Sequence, residues 1–412
     1  MTQTKIAIAA GGTAGHVAPA LAVANALRAD GAEVAFVGGT RAEAQLVPAA
    51  GYELHTIAME GLSRTNPLRA MRALARAALA LPRARAILRE LRPDAVLGGG
   101  GYVAGPVGLA ALSLRIPLVL TEADSHLGLA NRLLARGARR VCLAFAIPGR
   151  AQGAKGRRYR VTGRPIPVPD ADRASARALF QIAEGQTCVL VFGGSLGARS
   201  INRAAVEAFA GDETSGDGDG AGLGNAAGER WVSGADAGRR STAGDDLAAS
   251  MRAEDLRVLH IAGRRDYPEL ASRELPPGYD LREYLNLDEF AQALAAADLV
   301  VARSGGSVFE LAAYGLPAIL VPYPHASADH QSANARWMAQ AGAAVAIADS
   351  ELSGARLARE VAALLGDRPR LAAMARASRN LARPDAAREV ADELLQAAGR
   401  GGAGMARQAE PV

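Results

Sequence analysis

Three glycine-rich turns are the most informative feature of the sequence, because each follows a short apolar run and precedes an apolar pattern with helical spacing. The turns are GGTAGH at Gly11–His16, GGGGYVAGP at Gly98–Pro106 and GGSLGAR at Gly193–Arg199. Backbone N–H groups at such a turn, together with the positive end of the following helix dipole, favour a phosphate or pyrophosphate. Since ligands of open α/β sheets bind at the carboxyl ends of the strands, the turns predict one cleft between two domains.

His16 is the residue of the first turn that could transfer a proton. Its imidazole follows the glycines directly, and an ordinary pKa of about 6.5 allows proton uptake near neutral pH. His55 and His260 lie instead in apolar, strand-like surroundings, which is typical of structural histidines. Two Asp-x-Asp pairs, at 170–172 and 217–219, fall at a helix N-cap and in a low-complexity segment, so neither a catalytic metal nor a cofactor is expected.

The elements that would position these turns alternate between strand-like runs and helical patterns. Lys5–Leu27 and Cys188–Phe209 both show a strand, a tight turn and a helix, which together open a Rossmann-like half. The alternation predicts an α/β fold with two Rossmann-like domains, whose parallel sheets face a deep interdomain cleft. Further strands are expected at Glu33–Gly38, Ala95–Gly98, Pro117–Thr121, Arg140–Phe145, Arg257–Ile261, Leu299–Arg303, Ala318–Pro322 and Ala344–Ala348.

The pattern also predicts the limits of the domains. We expect an N-terminal domain at 1–164, a C-terminal domain at 165–385, and a C-terminal helix with a disordered tail at 386–412. The proline-rich segment Val161–Asp172 is the expected linker. Residues 211–249 are rich in Gly, Asp, Ser and Ala with almost nothing to bury, so a flexible insertion is expected there.

The composition indicates a soluble or peripherally bound protein with two sizeable cores. Half of the 412 residues are apolar and 22% are charged, and the formal net charge of +5 is carried almost entirely by arginine. The longest apolar stretch, Val107–Leu120, contains Arg115 and is shorter than the roughly 20 residues that span a bilayer. Both cysteines lie in apolar runs, which favours buried thiols over a disulfide or metal framework.

The segment 66–92 is predicted to be a basic amphipathic helix that can lie on an anionic membrane surface. A domain helix with a solvated arginine face is the alternative. Nucleic acid is not an expected partner, because the arginines are neither interleaved with aromatic residues nor set in a known reading motif. The apolar face comprises Leu68, Met71, Leu74, Ala75, Ala78 and Leu79, and the arginines are Arg69, Arg72, Arg76, Arg83, Arg85 and Arg89.

Nearly the whole chain outside 211–249 and the tail resembles the MurG family of glycosyltransferases. The matching stretches include GGTAGHVAPALAVANAL, EADSHLGLANRLLA, VTGRPIP, VFGGSLGARSIN and ARSGGSVFELAAYGLPAILVPYPHASADHQSANARWM. The resemblance implies the GT-B fold and inverting transfer of N-acetylglucosamine from UDP-N-acetylglucosamine to lipid I, which gives the peptidoglycan precursor lipid II without an obligatory metal. It also implies a peripheral location at the cytoplasmic face of the cell membrane, with other cell-wall enzymes as further partners.

The same resemblance implies site residues. By position, Ser195 would contact the donor phosphates, the Leu285 backbone would meet uracil, and Glu310 would accept both ribose hydroxyls. Gln331, with His330 beside it, would hold hydroxyls of the transferred sugar. Without the resemblance, Glu310 would be an ordinary first-turn glutamate favoured by the helix dipole. The remaining substrate-binding candidates are Thr13, Ala14, Gly15, Asp124, Arg164 and Ser307.

Of four departures from the family pattern, which include GRP at Gly163–Pro165 in place of GNP and a segment at Arg303–Ser307 that is one residue shorter, two concern the substrate most directly. Ala14 stands where glycine is usual, and Asp124 replaces an amide that would meet the donor's acetamido group. The catalytic base is predicted to be His16, with Asp124 or Glu122 as substitutes. One alternative function is another GT-B UDP-sugar transferase that acts on a glycolipid or secondary metabolite. A noncatalytic nucleotide-sugar-binding subunit is the other, and His16 argues against it because a binder needs no acceptor-side base.

Overall fold

The computed structural model describes residues 3–58, 67–150, 157–167, 171–194, 197–210, 255–326 and 329–399, with the side chains of 67–78 excluded. The chain divides into two compact units, Met1–Val168 together with Arg383–Val412, and Pro169–Ala382. The first change of unit falls inside the proline-rich segment 161–172 that the sequence identifies as a linker. The predicted insertion at 211–249 and the tail from residue 400 lie outside the described residues.

The first unit is a parallel sheet with helices packed against it. Its strands are β1 (Lys5–Ala9), β2 (Glu33–Gly38), β3 (Glu53–Thr56), β4 (Ala95–Gly98), β5 (Leu118–Glu122), β6 (Arg140–Leu143) and β7 (Tyr159–Val161). The described helices are α1 (Ala14–Ala29), α2 (Glu43–Ala49), α3 (Pro67–Leu91), α4 (Ala104–Ser113), α5 (Leu129–Leu134) and, at the end of the chain, α14 (Ala386–Ala397). The strand order is β3-β2-β1-β4-β5-β6-β7, with every pair parallel.

The second unit repeats this arrangement. Its strands are β8 (Thr187–Phe192), β9 (Leu256–Ile261), β10 (Tyr279–Arg282), β11 (Leu299–Ala302), β12 (Ala318–Leu320) and β13 (Ala344–Ala346). The described helices are α6 (Arg173–Leu179), α7 (Arg199–Phe209), α8 (Tyr267–Leu270), α9 (Leu287–Ala296), α10 (Val308–Tyr314), α11 (His330–Gln340), α12 (Gly354–Gly366) and α13 (Arg368–Asn380), besides a short 3₁₀ helix at Asp349–Glu351. The parallel order β10-β9-β8-β11-β12-β13 matches the first six strands of the other sheet.

The predicted α/β class with two parallel sheets is confirmed. Strands β1, β4, β8 and β11 are almost entirely buried, which explains why their sequences are continuous apolar runs. Three strands went unpredicted, and all three lie at the edge of a sheet: β3, β7 and β10. Their sequences ELHT, YRV and YDLR carry polar residues on exposed faces, so no apolar run marks them.

The C-terminal helix α14 belongs to the first unit and is fixed there by ion pairs. Glu393 is buried and accepts hydrogen bonds from Arg140 at 2.5 Å and Arg160 at 2.9 Å. Arg388 donates to Asp30 at 2.7 Å. The first unit is therefore completed by residues from both ends of the chain, whereas the sequence analysis treated 386–412 as a separate segment.

Candidate active site

The first two glycine turns are neighbours in the first unit, since they follow the adjacent strands β1 and β4. The N–H of Gly99 donates to the carbonyl of Ala9 at 2.8 Å. Gly101 has a positive φ of 76°, and a Cβ added there would lie 1.8 Å from the carbonyl oxygen of Gly11. The two turns thus pack backbone against backbone, at a distance that only glycine permits.

His16 lies in the first turn of α1, directly above the second glycine turn. A Cβ on Gly100 would lie 3.0 Å from its Cδ2, and its Nδ1 is 3.3 Å from Oγ1 of Thr13. His16 is nevertheless an exposed residue. Desolvation by the surrounding protein, and next the guanidinium of Arg164, lower the pKa of His16 below its ordinary value, against the opposing charges of Asp124 and Glu43. The ring is therefore neutral at physiological pH, as a base must be.

Arg164 joins the predicted linker motif to the first glycine turn. Its Nη2 donates to the carbonyl oxygen of Gly15. A Cβ on Gly15 would lie 3.6 Å from the Thr13 hydroxyl and 3.7 Å from the Arg164 guanidinium. The structure therefore brings together four of the predicted residues, since Ala14 lies between Thr13 and Gly15 at the start of α1.

Glu122 and Asp124, the substitutes predicted for the base, follow the carboxyl end of β5 and differ in their surroundings. Glu122 is buried and accepts hydrogen bonds from the N–H of Asp124 at 3.2 Å, the N–H of Gly128 at 2.8 Å and the amide of Asn131 at 3.0 Å. Burial raises the pKa of Glu122, and these hydrogen bonds oppose the rise only in part. Glu122 holds the loop, whereas Asp124 is half-buried and its charge acts on His16.

Glu43 and Tyr102 are two further residues of this cluster, and the sequence analysis missed both. Glu43, at the start of α2, is fully buried and accepts hydrogen bonds from the N–H of Gly12 at 2.8 Å, the N–H of Gly39 at 2.9 Å and the Tyr102 hydroxyl at 2.8 Å. Tyr102 lies within the motif GGGGYVAGP and could have been found there. The surroundings of Glu43, TRAEAQLV, read as a solvated helix and carry no signal.

In the second unit, the third glycine turn connects β8 to α7. Gly197 has a positive φ of 79°, and a Cβ there would lie 2.2 Å from the carbonyl oxygen of Ala262. The turn therefore needs glycine, as its sequence predicts. Ser195 lies outside the described residues, so its contact with the donor phosphates stays a prediction.

The SGGS turn after β11 is tied to α11, which carries Gln331. Buried Ser304 donates to the carbonyl of Gln331 at 2.8 Å, and Asn334 donates to the carbonyl of Ser304 at 2.9 Å. The N–H of Tyr323 donates to Oε1 of Gln331 at 2.9 Å, which leaves the amide NH₂ as the end that can donate to a ligand. A Cβ on Gly305 would lie 3.9 Å from that nitrogen. Gln331 and the SGGS turn are therefore close neighbours, as a shared binding site requires.

The other predicted residues of this unit occupy separate elements. Ser307 is the residue before α10, and Glu310 lies half-buried in the first turn of that helix. His330 is the first residue of α11, beside Gln331. The Leu285 side chain is buried directly before Asn286, which caps α9, so the segment that would meet uracil is anchored at both positions.

Arg303 organises this side of the sheet and was missed as a functional residue. Its guanidinium donates to the carbonyls of Val321 at 3.1 Å and Pro322 at 3.2 Å, to Asp349 at 2.5 Å and to the Ser200 hydroxyl at 2.8 Å. One side chain thereby joins the ends of three strands to the start of α7. Among the described residues, no group of three or more His, Cys, Asp or Glu side chains is arranged to hold a metal ion.

Two Rossmann-like units that share the order of six strands, each with a glycine turn after its first strand, are the arrangement of the GT-B fold. Residues 6–143 match the glycosyltransferase family 28 N-terminal domain, and residues 188–390 match the family's C-terminal domain. The chain belongs to glycosyltransferase family 28. The predicted fold class and the predicted enzyme class are confirmed.

Full-length relatives agree with this assignment. The chain is 38% identical to the UDP-N-acetylglucosamine--N-acetylmuramyl-(pentapeptide) pyrophosphoryl-undecaprenol N-acetylglucosamine transferase of Moorella thermoacetica, over 95% of this chain and 98% of that protein. It is 40% identical to the transferase of the same name from Methylococcus capsulatus, over 96% and 99%. The crystal structure of Acinetobacter baumannii MurG matches with a TM-score of 0.65 and 26% identity, over 96% of this chain and all of that one. The resemblance to the MurG family is confirmed.

Proposed function

We propose that this glycosyltransferase moves N-acetylglucosamine from UDP-N-acetylglucosamine to undecaprenyl-pyrophosphoryl-N-acetylmuramoyl-pentapeptide, lipid I, and so forms lipid II. The observation that carries the proposal is the common name of relatives that are 38–40% identical over at least 95% of this chain. That degree of similarity extends through both units, so it includes the turns that hold the candidate site residues.

On the acceptor side, His16 is the proposed base. Inverting transfer requires the acceptor hydroxyl to lose its proton as it attacks the anomeric carbon from the face opposite UDP. A lowered pKa keeps the imidazole of His16 neutral and ready to accept that proton. Once the imidazolium has formed, the negative charges of Asp124 and Glu43 stabilise it. Arg164, which donates to the carbonyl of Gly15, acts in the opposite direction, because its positive charge destabilises the imidazolium.

On the donor side, the second unit is proposed to hold UDP-N-acetylglucosamine. Glu310 is the proposed acceptor of both ribose hydroxyls, since a carboxylate accepts from a vicinal diol in a forked manner. The NH₂ of Gln331 is oriented by the Tyr323 N–H toward donation, which suits a sugar hydroxyl. The third glycine turn, with Ser195 and the N-terminus of α7, would stabilise the charge of the leaving pyrophosphate.

A peripheral position at the cytoplasmic face of the membrane is part of the proposal. No helix among the described residues is both long and apolar enough to cross a bilayer. Helix α4 packs between α3 and α5, and these three helices expose leucines with 51% to 77% of their surface accessible: Leu79, Leu109, Leu129 and Leu133. Exposed arginines at 132 and 136 accompany them, which fits an anionic surface. The predicted face of α3 at 68–78 lies outside the described side chains.

The proposal is tested with the purified protein, a panel of UDP-sugars, and lipid I as acceptor. We expect lipid I to gain the mass of one N-acetylglucosamine unit, with UDP-N-acetylglucosamine preferred over the other donors. A glycolipid or secondary-metabolite acceptor assayed in parallel is expected to remain unmodified. Transfer to such an acceptor, with lipid I left unchanged, would show that the acceptor assignment is wrong although the enzyme class is right.

A further inference from the structure

We propose that Glu43 is a positioning residue: its buried carboxylate ties the His16 turn to the Tyr102 turn and places a negative charge close to the imidazole. The inference rests on the proposed function only in taking His16 as the base. It does not depend on which sugar or acceptor is used. Glu43 lies at the start of α2, whereas His16 lies in α1. The Glu43 carboxylate contacts the turn before α1 by accepting from the backbone N–H of Gly12.

The hydrogen bonds of Glu43 connect three loops at the carboxyl ends of neighbouring strands. Oε2 accepts from Gly12, which follows β1, while Oε1 accepts from Gly39, which follows β2, and from Tyr102, which follows β4. The connection to the first turn is double, because the N–H of Ala42 donates in return to the carbonyl of Gly12 at 3.4 Å. One carboxylate therefore holds all three loops against one another.

The packing around this carboxylate leaves the loops little freedom to shift. A Cβ on Gly39 would lie 1.9 Å from the Tyr102 hydroxyl, and one on Gly11 would lie 2.9 Å from Oε1 of Glu43. The Tyr102 turn in turn supports the His16 ring through Gly100. A shift of Glu43 would therefore displace the His16 imidazole in two ways, by moving Gly12 and by moving the Tyr102 turn.

The carboxylate is held in its charged form by neutral donors. Burial acts to raise the pKa of Glu43, but the hydrogen bonds from the Tyr102 hydroxyl and from the backbone N–H groups of Gly12, Arg41 and Glu43 itself outweigh it, so the pKa lies below its ordinary value. Burial and the bond to Glu43 also raise the pKa of Tyr102 to about 12, which keeps the phenol protonated as a donor. The charge of Glu43 is therefore permanent over the working pH range.

Three charged groups act on His16, and Glu43 is one of them. Arg164 lowers the pKa of His16 beyond the effect of desolvation, whereas Asp124 and Glu43 raise it. Removal of the Glu43 charge would leave Arg164 opposed by Asp124 alone. The imidazolium would then be less stable, and the pKa of His16 would fall further.

Glu43→Gln tests both parts of the inference. The amide has the same shape but places an NH₂ where N–H groups donate, so at least one loop bond is lost. We expect kcat to fall about 10- to 100-fold, because displacing a reacting group by about 1 Å can cost on the order of 10²-fold, with the KM for UDP-N-acetylglucosamine changed less than about twofold. The acidic limb of the kcat profile should move to lower pH.

Glu33→Gln is the matched control, because Glu33 is an exposed carboxylate paired with Lys5, away from the glycine turns. This variant should keep the wild-type kcat and pH profile. Tyr102→Phe removes one bond to Glu43 but leaves its charge, so kcat should fall about tenfold without the acidic limb moving to lower pH. If Glu43→Gln does not fold, Tyr102→Phe carries the test, and an unchanged kcat in that variant would overturn the inference.

Titration of His16 by NMR in histidine-labelled protein separates this inference from the proposed function, because it needs no substrate. The His16 signal is assigned by its loss in His16→Gln. Glu43→Gln should lower the His16 midpoint relative to wild type and to Glu33→Gln. An unmoved midpoint in folded Glu43→Gln, or a wild-type kcat, would overturn the inference. A wild-type protein that shows no transfer to lipid I would instead count against the proposed function alone.

Discussion

The two units share a strand order, yet the loops at the carboxyl ends of their sheets are fixed by side chains of opposite charge. In the first unit, the Glu43 carboxylate accepts hydrogen bonds from N–H and O–H donors. In the second unit, the Arg303 guanidinium donates hydrogen bonds to carbonyl oxygens and to Asp349. The first arrangement occupies the N–H of Gly12 with a carboxylate of the protein itself. The second, in which Asp349 pairs with the guanidinium, holds the Ser200 hydroxyl at the start of the helix that follows the third glycine turn.

This difference teaches that glycine turns of similar sequence need not do similar work. The sequence predicts phosphate binding at all three turns, because each exposes N–H groups at the start of a helix. In the structure, the first turn carries His16, the proposed base, and has one of its N–H donors bound to Glu43. We therefore propose proton transfer in the first unit and donor binding in the second, and mutants should separate these roles.

The largest expected effect is that of His16→Ala on turnover. Loss of a general base typically costs about 10² to 10⁴ in rate, so kcat should fall by that range. The KM for UDP-N-acetylglucosamine should change only modestly, because the donor is proposed to bind the second unit. Steady-state kinetics measure both constants. A kcat close to wild type would remove His16 as the base and turn attention to Asp124 and Glu122.

Glu310→Ala should produce the opposite pattern. The loss of two charge-assisted hydrogen bonds to the ribose, each worth about 1.5 to 3 kcal/mol, should raise the KM for UDP-N-acetylglucosamine by about two to four orders of magnitude. The fall in kcat should be smaller. Titration calorimetry with UDP provides an independent measure of donor affinity. Glu351→Ala, in the short 3₁₀ helix of the same unit, is a control that should leave donor affinity unchanged.

A third test concerns the exposed leucines, which among the described residues form a group on three adjacent helices of the first unit. The double variant Leu129→Ser with Leu133→Ser should bind anionic vesicles about tenfold or more weakly. Each leucine that inserts into the membrane contributes about 1.5 to 3 kcal/mol. Salt should also weaken vesicle binding by the wild-type protein, because arginines near an anionic membrane surface contribute about 1 kcal/mol each and this attraction is screened. Leu179→Ser, an exposed leucine of the second unit, should bind as wild type does. Co-sedimentation indifferent to salt and to both leucines would refute the membrane face.

A fourth test concerns the dependence of kcat on pH, which should fall only on the acidic side. Desolvation and Arg164 lower the pKa of His16, and the base works in its neutral form. Activity should therefore be retained as the pH falls to about 6.5, the ordinary pKa of histidine, and be lost only at lower pH. A kcat profile with its acidic midpoint above 6.5 would contradict this direction.

The smallest expected effect is that of replacing residues 211–249 by a short Gly/Ser linker. Their composition offers too little apolar surface to support a fold of its own, so turnover and the thermal midpoint of the second unit should be unchanged. A loss of turnover, or an unfolded second unit, would show that this segment has a role in the donor-binding unit.

Interior strands and glycine turns could be predicted from the sequence because they carry local signals. Strands such as β4 and β8 are continuous apolar runs, and Gly101 and Gly197 lie where any side chain would collide with a carbonyl oxygen. The edge strands β3, β7 and β10 carry no such run, whereas the edge strand β13 does and was predicted. Glu43 was missed because two of its three partners, Gly12 and Tyr102, come from distant parts of the chain, and nothing local distinguishes a buried carboxylate from a solvated one.

The ion pairs of α14 have a consequence for synthesis of the chain. Arg140 and Arg160 meet their buried partner, Glu393, only after the whole of Pro169–Ala382 has been translated. On the ribosome, the unit that begins first is therefore the one that is finished last, and the later unit can fold while its predecessor still lacks a helix. In nascent chains stalled before residue 386, the surface of the first unit that α14 covers should be exposed to solvent. These chains are the form of the first unit that we expect chaperones to bind.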